Sequence, residues 1–349
     1  ACMGLLRLIA GGVAAAAAAA LVALNGRRIL KELTRKRIKA SRMSGKVAIV
    51  TGGTSGVGRL ACEKLVSKGY RVILAARDLA AGEKVVSELK KLAPSKNQDD
   101  AVEVLECDLC SLASVASFAE TFKRKSIPLH LLVLNAGMCP RTNQTQPVIT
   151  KDGFEIAFQT NHLSHFLLTK LLLPTLESSA PSRIVVVSSS LHQARGRGTL
   201  HPDLKTSSLD ELRKSWNDKP NGMVLYRNSK LANILFAFEL NRRVKDKRVT
   251  CNALTPGFIP NTGLSRNQGG FGIFFMKFVM PILPFKFIAT LEQGATCIEY
   301  VATAEELEGV GGNYYAACKE APTSEIAKSE ELQSSLWSLS ETMVMPYLK

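Results

Sequence analysis

The sequence lacks the cysteine and histidine spacing of a metal site. Its eight cysteines are scattered, and the pair at Cys107 and Cys110 has neither a second cysteine pair nor histidines at the spacing of a zinc site. Others, such as Cys251 and Cys297, lie within apolar stretches. We interpret the cysteines as small buried residues of a reducing compartment and expect no metal ion. No internal repeat is visible either.

Acidic residues are too few to balance the basic ones. The chain has 30 acidic and 45 basic side chains, which gives a formal net charge of +15. An excess of this size can indicate nucleic-acid binding, but much of it is concentrated between Arg27 and Lys46, where nine basic residues accompany one acid. Because this block follows an apolar run, it suits anionic lipid headgroups better than a duplex groove. We therefore expect no nucleic-acid partner.

Polar side chains are absent from residues 8–24, which are apolar apart from two glycines. This run is slightly shorter than the roughly 20 residues that usually span a bilayer. A cleaved signal peptide would need a basic start, where only Arg7 qualifies, and a transit peptide would be amphipathic, whereas residues 14–20 are all alanine. We interpret residues 1–26 as a membrane-anchor helix and 27–44 as a basic linker.

Positive flanking charge stays on the cytosolic side of a membrane, so the remainder of the chain is expected to be cytosolic. The endoplasmic reticulum is the expected membrane, and a plastid or mitochondrial membrane is the alternative. Whether the apolar segment is cleaved stays open at this point.

Apolar strand patterns alternate with helical patterns after the linker. Helices are predicted at 59–68, 80–92, after Ser111, at 154–173 and at 225–243, and strands at 46–51, 71–75, 102–106, 129–134, 183–187 and 249–254. This alternation predicts an α/β fold, a single doubly wound Rossmann domain whose parallel sheet is covered on both faces. The domain is expected at 45–320, followed by a C-terminal helical tail at 321–349.

A glycine-rich turn from Thr51 to Gly58 joins the first strand to the first helix. Glycines at a helix N-terminus let a pyrophosphate approach backbone N–H groups. Their spacing differs from the G-x-G-x-x-G of long-chain dehydrogenases and resembles the Thr-Gly-x-x-x-Gly-x-Gly pattern of the short-chain dehydrogenase/reductase family. The resemblance implies coenzyme contacts at Gly52, Thr54, Ser55, Gly56, Val57 and Gly58.

The end of the second strand favours NADP(H) over NAD(H). An NAD enzyme usually presents a carboxylate there, but this chain has Ala76 followed by Arg77. A guanidinium can form a charge-assisted pair with the 2′-phosphate of NADP, and Arg59 could assist. The alternative interpretation of Arg77 is a solvated charge at a strand end.

The resemblance implies further coenzyme contacts at the ends of later strands. Asp108 and the backbone of Leu109 would meet the adenine edge after the third strand. After the fourth strand, Asn135 would stabilise the sheet, and the small residues Ala136 and Gly137 would leave room for the coenzyme.

Tyr226 and Lys230 are four residues apart in a predicted helix, so their side chains share a face. The ammonium is expected to lower the phenol pKa from its usual value near 10, so that Tyr226 can exchange a proton with an alcohol or carbonyl oxygen. This spacing is common by chance. The resemblance gives it meaning, because it assigns Tyr226 to catalysis and Lys230 to both catalysis and the nicotinamide ribose.

Two further residues match the family's catalytic set. Ser189 matches the serine that holds the substrate oxygen, although Ser188 and Ser190 remain alternatives. Asn161 matches the helix asparagine that completes a water relay to the lysine. His162 and His165 are interpreted as packing or surface residues.

The segments 161–168, 229–236, 311–315 and 336–341 resemble the retinol dehydrogenase and WW-domain oxidoreductase branch. Protochlorophyllide reductases, which would reduce a C=C bond, are similar but place a cysteine directly after Pro-Gly, where this chain has Phe258. The sequence also leaves open a non-catalytic, membrane-anchored NADP-binding scaffold.

The turn at Pro256 and Gly257 follows the sixth strand, and the resemblance places it beneath the nicotinamide ring. Thr262 would then bond the nicotinamide carboxamide. Residues 258–290 are interpreted as a substrate lid, and 271–288 are strongly apolar. An apolar lid beside an anchor predicts a lipophilic alcohol, aldehyde or ketone as substrate, of the retinoid, sterol or fatty aldehyde class. A helix that simply packs on the core is the alternative.

Overall fold

A central sheet crosses the part of the chain that the computed structural model describes, namely residues 45–94, 98–193, 204, 206, 208–259 and 289–348. Within these ranges its strands are β1 Val47–Thr51, β2 Arg71–Ala76, β3 Val102–Glu106, β4 Leu131–Leu134, β5 Ser182–Val187, β6 Val249–Thr255, β7 Tyr314–Ala316 and β8 Lys319–Glu320. Their order is β3-β2-β1-β4-β5-β6-β7-β8, and all neighbours are parallel except β7 and β8.

The α/β fold predicted from the sequence is confirmed, with a sheet that is mostly rather than wholly parallel. All six predicted strands form. The antiparallel hairpin of β7 and β8 is the exception, and the hydrophobic pattern does not predict it because these strands have only three and two residues.

Helices cover both faces of the sheet. Along β1 the side chains alternate between the two faces, and Val47 and Ile49 join the large core cluster while Ala48 and Val50 are buried on the other side. The helices are α1 Gly56–Ser67, α2 Leu79–Lys90, α3 Leu112–Arg124, α4 Ile156–Phe158, α5 Ser164–Ser178, α6 Leu209–Asp218, α7 Gly222–Arg243, α8 Leu291–Thr303 and α9 Glu330–Val344. Helix α1 packs against α8, α3 against α5, and α7 against α9.

The predicted helix at 154–173 is interrupted. A π-helical turn, Gln159–Leu163, separates α4 from α5 and contains Asn161. Such turns often occur at functional sites, because the altered backbone register re-aims one side chain or carbonyl.

The C-terminal tail is part of the same hydrophobic core. Leu336 and Trp337 of α9 are almost completely buried. The Trp337 indole stacks on Phe236 of α7, with 6.1 Å between ring centroids, and the Arg243 guanidinium lies 4.5 Å from its centroid. The tail therefore covers the helix that carries Tyr226.

Several sequence predictions lie outside the described residues. These are the anchor at 1–26, the linker at 27–44, Thr262, and all but the ends of the lid at 258–290. Among the helices that are described, none combines the length and apolar character needed to cross a bilayer.

Candidate active site

A cavity of about 560 Å³ opens at the carboxyl ends of the strands, within the range of small-ligand sites. It lies where the chain order reverses between β1 and β4, which is where doubly wound sheets bind ligands. The predicted residues that line it are Gly52, Thr54, Ser55, Gly56, Val57, Gly58, Arg77, Asp108, Leu109, Asn135, Ala136, Gly137, Tyr226, Lys230 and Pro256. The structure thus brings the predicted coenzyme residues and the Tyr226–Lys230 pair together in one cavity.

The glycine-rich turn fits closely against the end of β4. A Cβ at Gly58 would lie 2.3 Å from the side-chain nitrogen Nδ2 of Asn135, so only glycine fits there. Asn135 in turn donates from Nδ2 to the carbonyl oxygens of Thr51, at 2.9 Å, and Gly52, at 3.3 Å. Asn135 therefore fixes the turn, which agrees with the stabilising role that the family resemblance implies.

The N-terminus of α1 is suited to an anion. Its N-cap residue Ser55 makes no side-chain capping hydrogen bond, whereas Asp78 and Ser111 cap α2 and α3 in this way. Because the first N–H groups of a helix need partners, α1 offers donors to a phosphate inside the cavity. The residues at this end of the cavity therefore fit a phosphate group such as those of a dinucleotide.

Arg77 projects from the end of β2 and is exposed beside the cavity. None of the ion pairs formed between described residues involves it. Arg59, in contrast, is held by Glu88 at 2.6 Å and Glu63 at 3.2 Å, so it is less free to bind a ligand. The Asp108 carboxylate, which the family resemblance assigns to the adenine edge, accepts a hydrogen bond from the backbone N–H of Cys110 at 3.0 Å.

Tyr226 and Lys230 lie on one face of α7, with the ammonium nitrogen 5.7 Å from the centre of the phenol ring. Lys230 Nζ donates to the carbonyl oxygen of Val187 at 2.9 Å. The Ser189 hydroxyl acts on the phenol so as to lower its pKa, whereas the Ser188 hydroxyl donates to the Lys230 carbonyl oxygen at 2.7 Å. Ser188 lines the cavity and Ser189 does not, so the preference for Ser189 rests on its effect on the phenol and on the family resemblance.

Asn161 reaches the same place from the π-helical turn. Its side chain bonds the backbone of Met138 in both directions, and its Nδ2 donates to the Ser229 hydroxyl at 2.8 Å. A Cβ at Gly137 would lie 3.1 Å from Lys230 Nζ and 3.3 Å from Asn161 Oδ1. The lysine and the asparagine therefore face each other across a glycine.

The prediction that Lys230 lowers the pKa of Tyr226 is wrong for the protein without its coenzyme. Burial raises the pKa of Tyr226 well above its usual value, and the hydrogen bond from Ser189 offsets this only in part. Burial also lowers the pKa of Lys230 to about 8. Desolvation opposes both charged forms and outweighs the attraction of an ammonium 5.7 Å away.

Some predicted residues lie elsewhere, and some lining residues were not predicted. Asn161, Ser189 and Gly257 do not line the cavity, whereas the alternative serine Ser188 does. Gly257 has a positive φ of +89°, which favours glycine in its turn. Cys110 and Met138 line it one residue beyond predicted contacts, whereas Ile156 and Thr160 reach it from α4 and the π-helical turn. The last two residues have no local signal in the sequence.

Comparison with known proteins decides the family. A profile described as short chain dehydrogenase matches residues 46–199. The chain is 37% identical over 353 residues to retinol dehydrogenase 14 of Homo sapiens, covering 95% of this chain and 98% of that protein. The chain belongs to the short-chain dehydrogenases. Within this family it falls in the retinol dehydrogenase-like branch, as the sequence predicts.

Other similarities agree. Human WW domain-containing oxidoreductase is 38% identical over 306 residues, which are 87% of this chain and 69% of that protein. Human polyprenol dehydrogenase is 37% identical over 303 residues, 84% of each chain. A crystal structure of an uncharacterised protein from Mycobacterium paratuberculosis superposes with a TM-score of 0.65 at 28% identity, covering 87% of this chain and 94% of that one.

The family membership makes this short-chain dehydrogenase an oxidoreductase that uses a nicotinamide coenzyme and acts on CH–OH donors.

We expect Lys230→Met to stabilise the coenzyme-free protein at neutral pH. Burial lowers the folded-state pKa of Lys230 from 10.5 to about 8, so the unfolded chain holds the proton more tightly and stability rises between these two pH values. Below about pH 8, removing the amine should raise the free energy of unfolding by about 3 kcal/mol, because each unit of pKa shift corresponds to about 1.36 kcal/mol. Urea unfolding at about pH 7 and about pH 10 should show that the variant has the higher free energy of unfolding, by an amount that decreases as the pH rises.

Lys247→Met is the matched control, because this side chain is 55% exposed and should change stability little at either pH. The Tyr226 phenol titrates in both wild type and variant, so its contribution cancels in the difference. A Lys230→Met protein that is less stable than wild type at neutral pH would contradict the expectation.

Proposed function

We propose that this protein is an NADP(H)-dependent oxidoreductase that interconverts a lipophilic alcohol and its aldehyde or ketone. The observation that carries the proposal is the single cavity that contains the glycine-rich turn, Arg77, Tyr226 and Lys230. A non-catalytic scaffold would have no need to bury a phenol, an ammonium and an asparagine at the nicotinamide end of such a cavity.

The proposed catalytic roles are those that the family resemblance implies for these residues. The coenzyme supplies or accepts a hydride when it is bound. Ser189 holds the substrate oxygen, and Tyr226 donates its proton to that oxygen during reduction or removes it during oxidation. The raised pKa of Tyr226 keeps the phenol protonated at neutral pH, which suits the proton donor of the reductive direction. Lys230 binds the nicotinamide ribose, and Asn161 orders the backbone next to it.

Arg77 supports the choice of NADP(H). It borders the cavity at the end of β2, is exposed, and follows Ala76, so no carboxylate stands at this position to repel a 2′-phosphate. A guanidinium binds phosphate through charge-assisted hydrogen bonds.

The substrate class is supported from two sides. Residues 258–290 are proposed as an apolar lid on the catalytic domain at 45–320, and the names of two relatives specify retinol and polyprenol, which are lipophilic alcohols. The anchor at 1–26 and the basic linker at 27–44 would keep the enzyme at the cytosolic face of the endoplasmic reticulum or an organelle membrane, where such substrates partition.

Replacing Arg77 by alanine should weaken NADPH binding and leave NADH binding nearly unchanged. A hydrogen-bonded pair with a charged group contributes about 1.5–3 kcal/mol, so we expect a loss of roughly 10- to 100-fold for NADPH. Titration of coenzyme fluorescence measures both dissociation constants. Arg124→Ala, an exposed arginine on α3 away from the cavity, is the control. Equal losses for both coenzymes would argue against a 2′-phosphate contact.

Reduction of aldehydes should improve with their apolar chain length and should disappear in Tyr226→Phe. The phenylalanine variant keeps the ring but has no proton to donate, so we expect a loss of about 10²-fold or more in kcat. The assay is NADPH oxidation with detergent-solubilised protein and a series of retinoid, sterol and fatty aldehydes or ketones. If the wild type is as inactive as the variant with every compound, a non-catalytic NADP-binding scaffold is favoured. Turnover of protochlorophyllide in light would instead favour a protochlorophyllide reductase.

The double variant Ala16→Lys, Ala19→Lys should release the protein from membranes washed with alkaline buffer, whereas wild type should stay in the pellet. A lysine at the centre of a spanning helix costs about 2.5–3.5 kcal/mol on insertion scales. The basic linker is intact in this variant, so release shows that the apolar run holds the protein. A control variant that neutralises four basic residues within 27–44 should stay bound. Recovery of the wild-type protein in the alkaline wash would contradict the proposal of a membrane anchor at 1–26.

A further inference from the structure

His165 lies on the first turn of α5, directly after the π-helical turn, and only 1% of its surface is exposed. Its two ring nitrogens contact different parts of the site. Nδ1 is 3.0 Å from the backbone carbonyl oxygen of Asn161, and Nε2 is 2.9 Å from the hydroxyl oxygen of Thr51. The sequence predicts a packing or surface residue at this position, but these contacts show a buried histidine that links two polar groups.

The contacts define the tautomer. A carbonyl oxygen can only accept, so the proton of the neutral ring is on Nδ1, and Nε2 must accept. The Thr51 hydroxyl can supply that hydrogen bond. Its oxygen already accepts from the N–H groups of Asn135, at 2.9 Å, and Ala136, at 3.0 Å, and its proton has only a longer alternative at the Val133 carbonyl, 3.4 Å away.

The ring stays neutral under ordinary assay conditions. Burial, opposed by the bond to Asn161 and aided by the nearby Lys230 cation, lowers the pKa of His165 to about 3. A neutral ring can keep one donor and one acceptor in fixed directions, whereas an imidazolium would have two donors and lose the bond from Thr51.

The resulting chain of hydrogen bonds joins the two halves of the site. It begins at Asn161, which faces Lys230 across Gly137, and ends at the N–H groups of Asn135 and Ala136, which border the coenzyme cavity. A change of position in the β4 turn is therefore transmitted to the Asn161 carbonyl through a rigid ring.

We propose that His165 is a positioning residue for hydride transfer, because its Nδ1–H fixes the backbone of Asn161, whose side chain faces Lys230 across Gly137, while its Nε2 fixes the same ring to Thr51. This proposal rests on the proposed function. The hydrogen bond from Nδ1 to Asn161 is expected to affect turnover. The hydrogen bond between Nε2 and Thr51 is expected to affect the glycine-rich turn that would contact the coenzyme.

His162 provides a matched comparison on the same stretch of chain. It is equally buried, but it packs among Phe158, Phe166 and Phe236, and its Nε2 contacts the Ser340 hydroxyl of α9 at 2.9 Å. None of these groups borders the cavity. A purely structural contribution of a buried histidine can therefore be measured separately at this position.

Two substitutions divide the functions of the His165 ring. His165→Asn places an amide N–H where Nδ1 is and keeps the donor for Asn161, whereas His165→Gln places its amide near Nε2 and loses that donor. Since a neutral hydrogen bond contributes about 1 kcal/mol, we expect kcat of the glutamine variant to fall about five- to tenfold, with KM for the aldehyde and the NADPH dissociation constant within about twofold of wild type. The asparagine variant should keep kcat within about threefold and bind NADPH more weakly.

The control is His162→Gln, which should lower the melting temperature without changing kcat. Equal losses of kcat in both His165 variants, losses that simply follow the melting temperature, or no loss in either would overturn the proposal while leaving the proposed function intact. An inactive wild type would instead remove the proposed function and the positioning role with it. The ¹⁵N shifts of the ring give a second readout, and a proton on Nε2 or a charged ring at neutral pH would also overturn the proposal.

Discussion

The site depends on the burial of an ammonium beside a phenol, with few groups to compensate the charge. Lys230 is almost completely buried, and its nitrogen donates to one carbonyl, that of Val187 at the end of β5. Transfer of a charged amine from water is unfavourable, so the fold must hold the lysine in place by other means. Tight packing of α7 between the sheet and α9 provides them. The coenzyme-free protein therefore carries a polar, partly satisfied centre within an otherwise apolar core.

The same constraint explains the geometry around the centre. Gly58 brings backbone and side chain closer than any larger residue would allow, and a Cβ at Gly137 would be in tight contact with Lys230 and Asn161. The side-chain amides of Asn135 and Asn161 hydrogen-bond the backbone of the neighbouring loops. Because each amide bonds backbone groups on another segment, the ends of β1 and β4 and the π-helical turn behave as one unit. A dinucleotide that binds in this crevice meets a surface that is already ordered.

The sequence predicts best what is encoded locally. Buried strands such as 249–254, the glycine spacing and the Tyr226–Lys230 interval all lie within a few neighbouring residues, and the structure shows each of them. The pKa of Tyr226 was predicted in the wrong direction because burial depends on distant segments that a helical interval does not reveal. Thr160 and the link through His165 were missed for the same reason, since the partners Cys110 and Thr51 are 50 and 114 residues away.

The position of α9 has a consequence for how this protein is made. Trp337 covers the outer side of α7 through its contacts with Phe236 and Arg243, yet it is synthesised well after that helix. A nascent chain that has formed the sheet but not yet α9 still exposes an apolar strip on α7. The outer side of α7 is therefore covered only after α9 has been synthesised and has folded onto it.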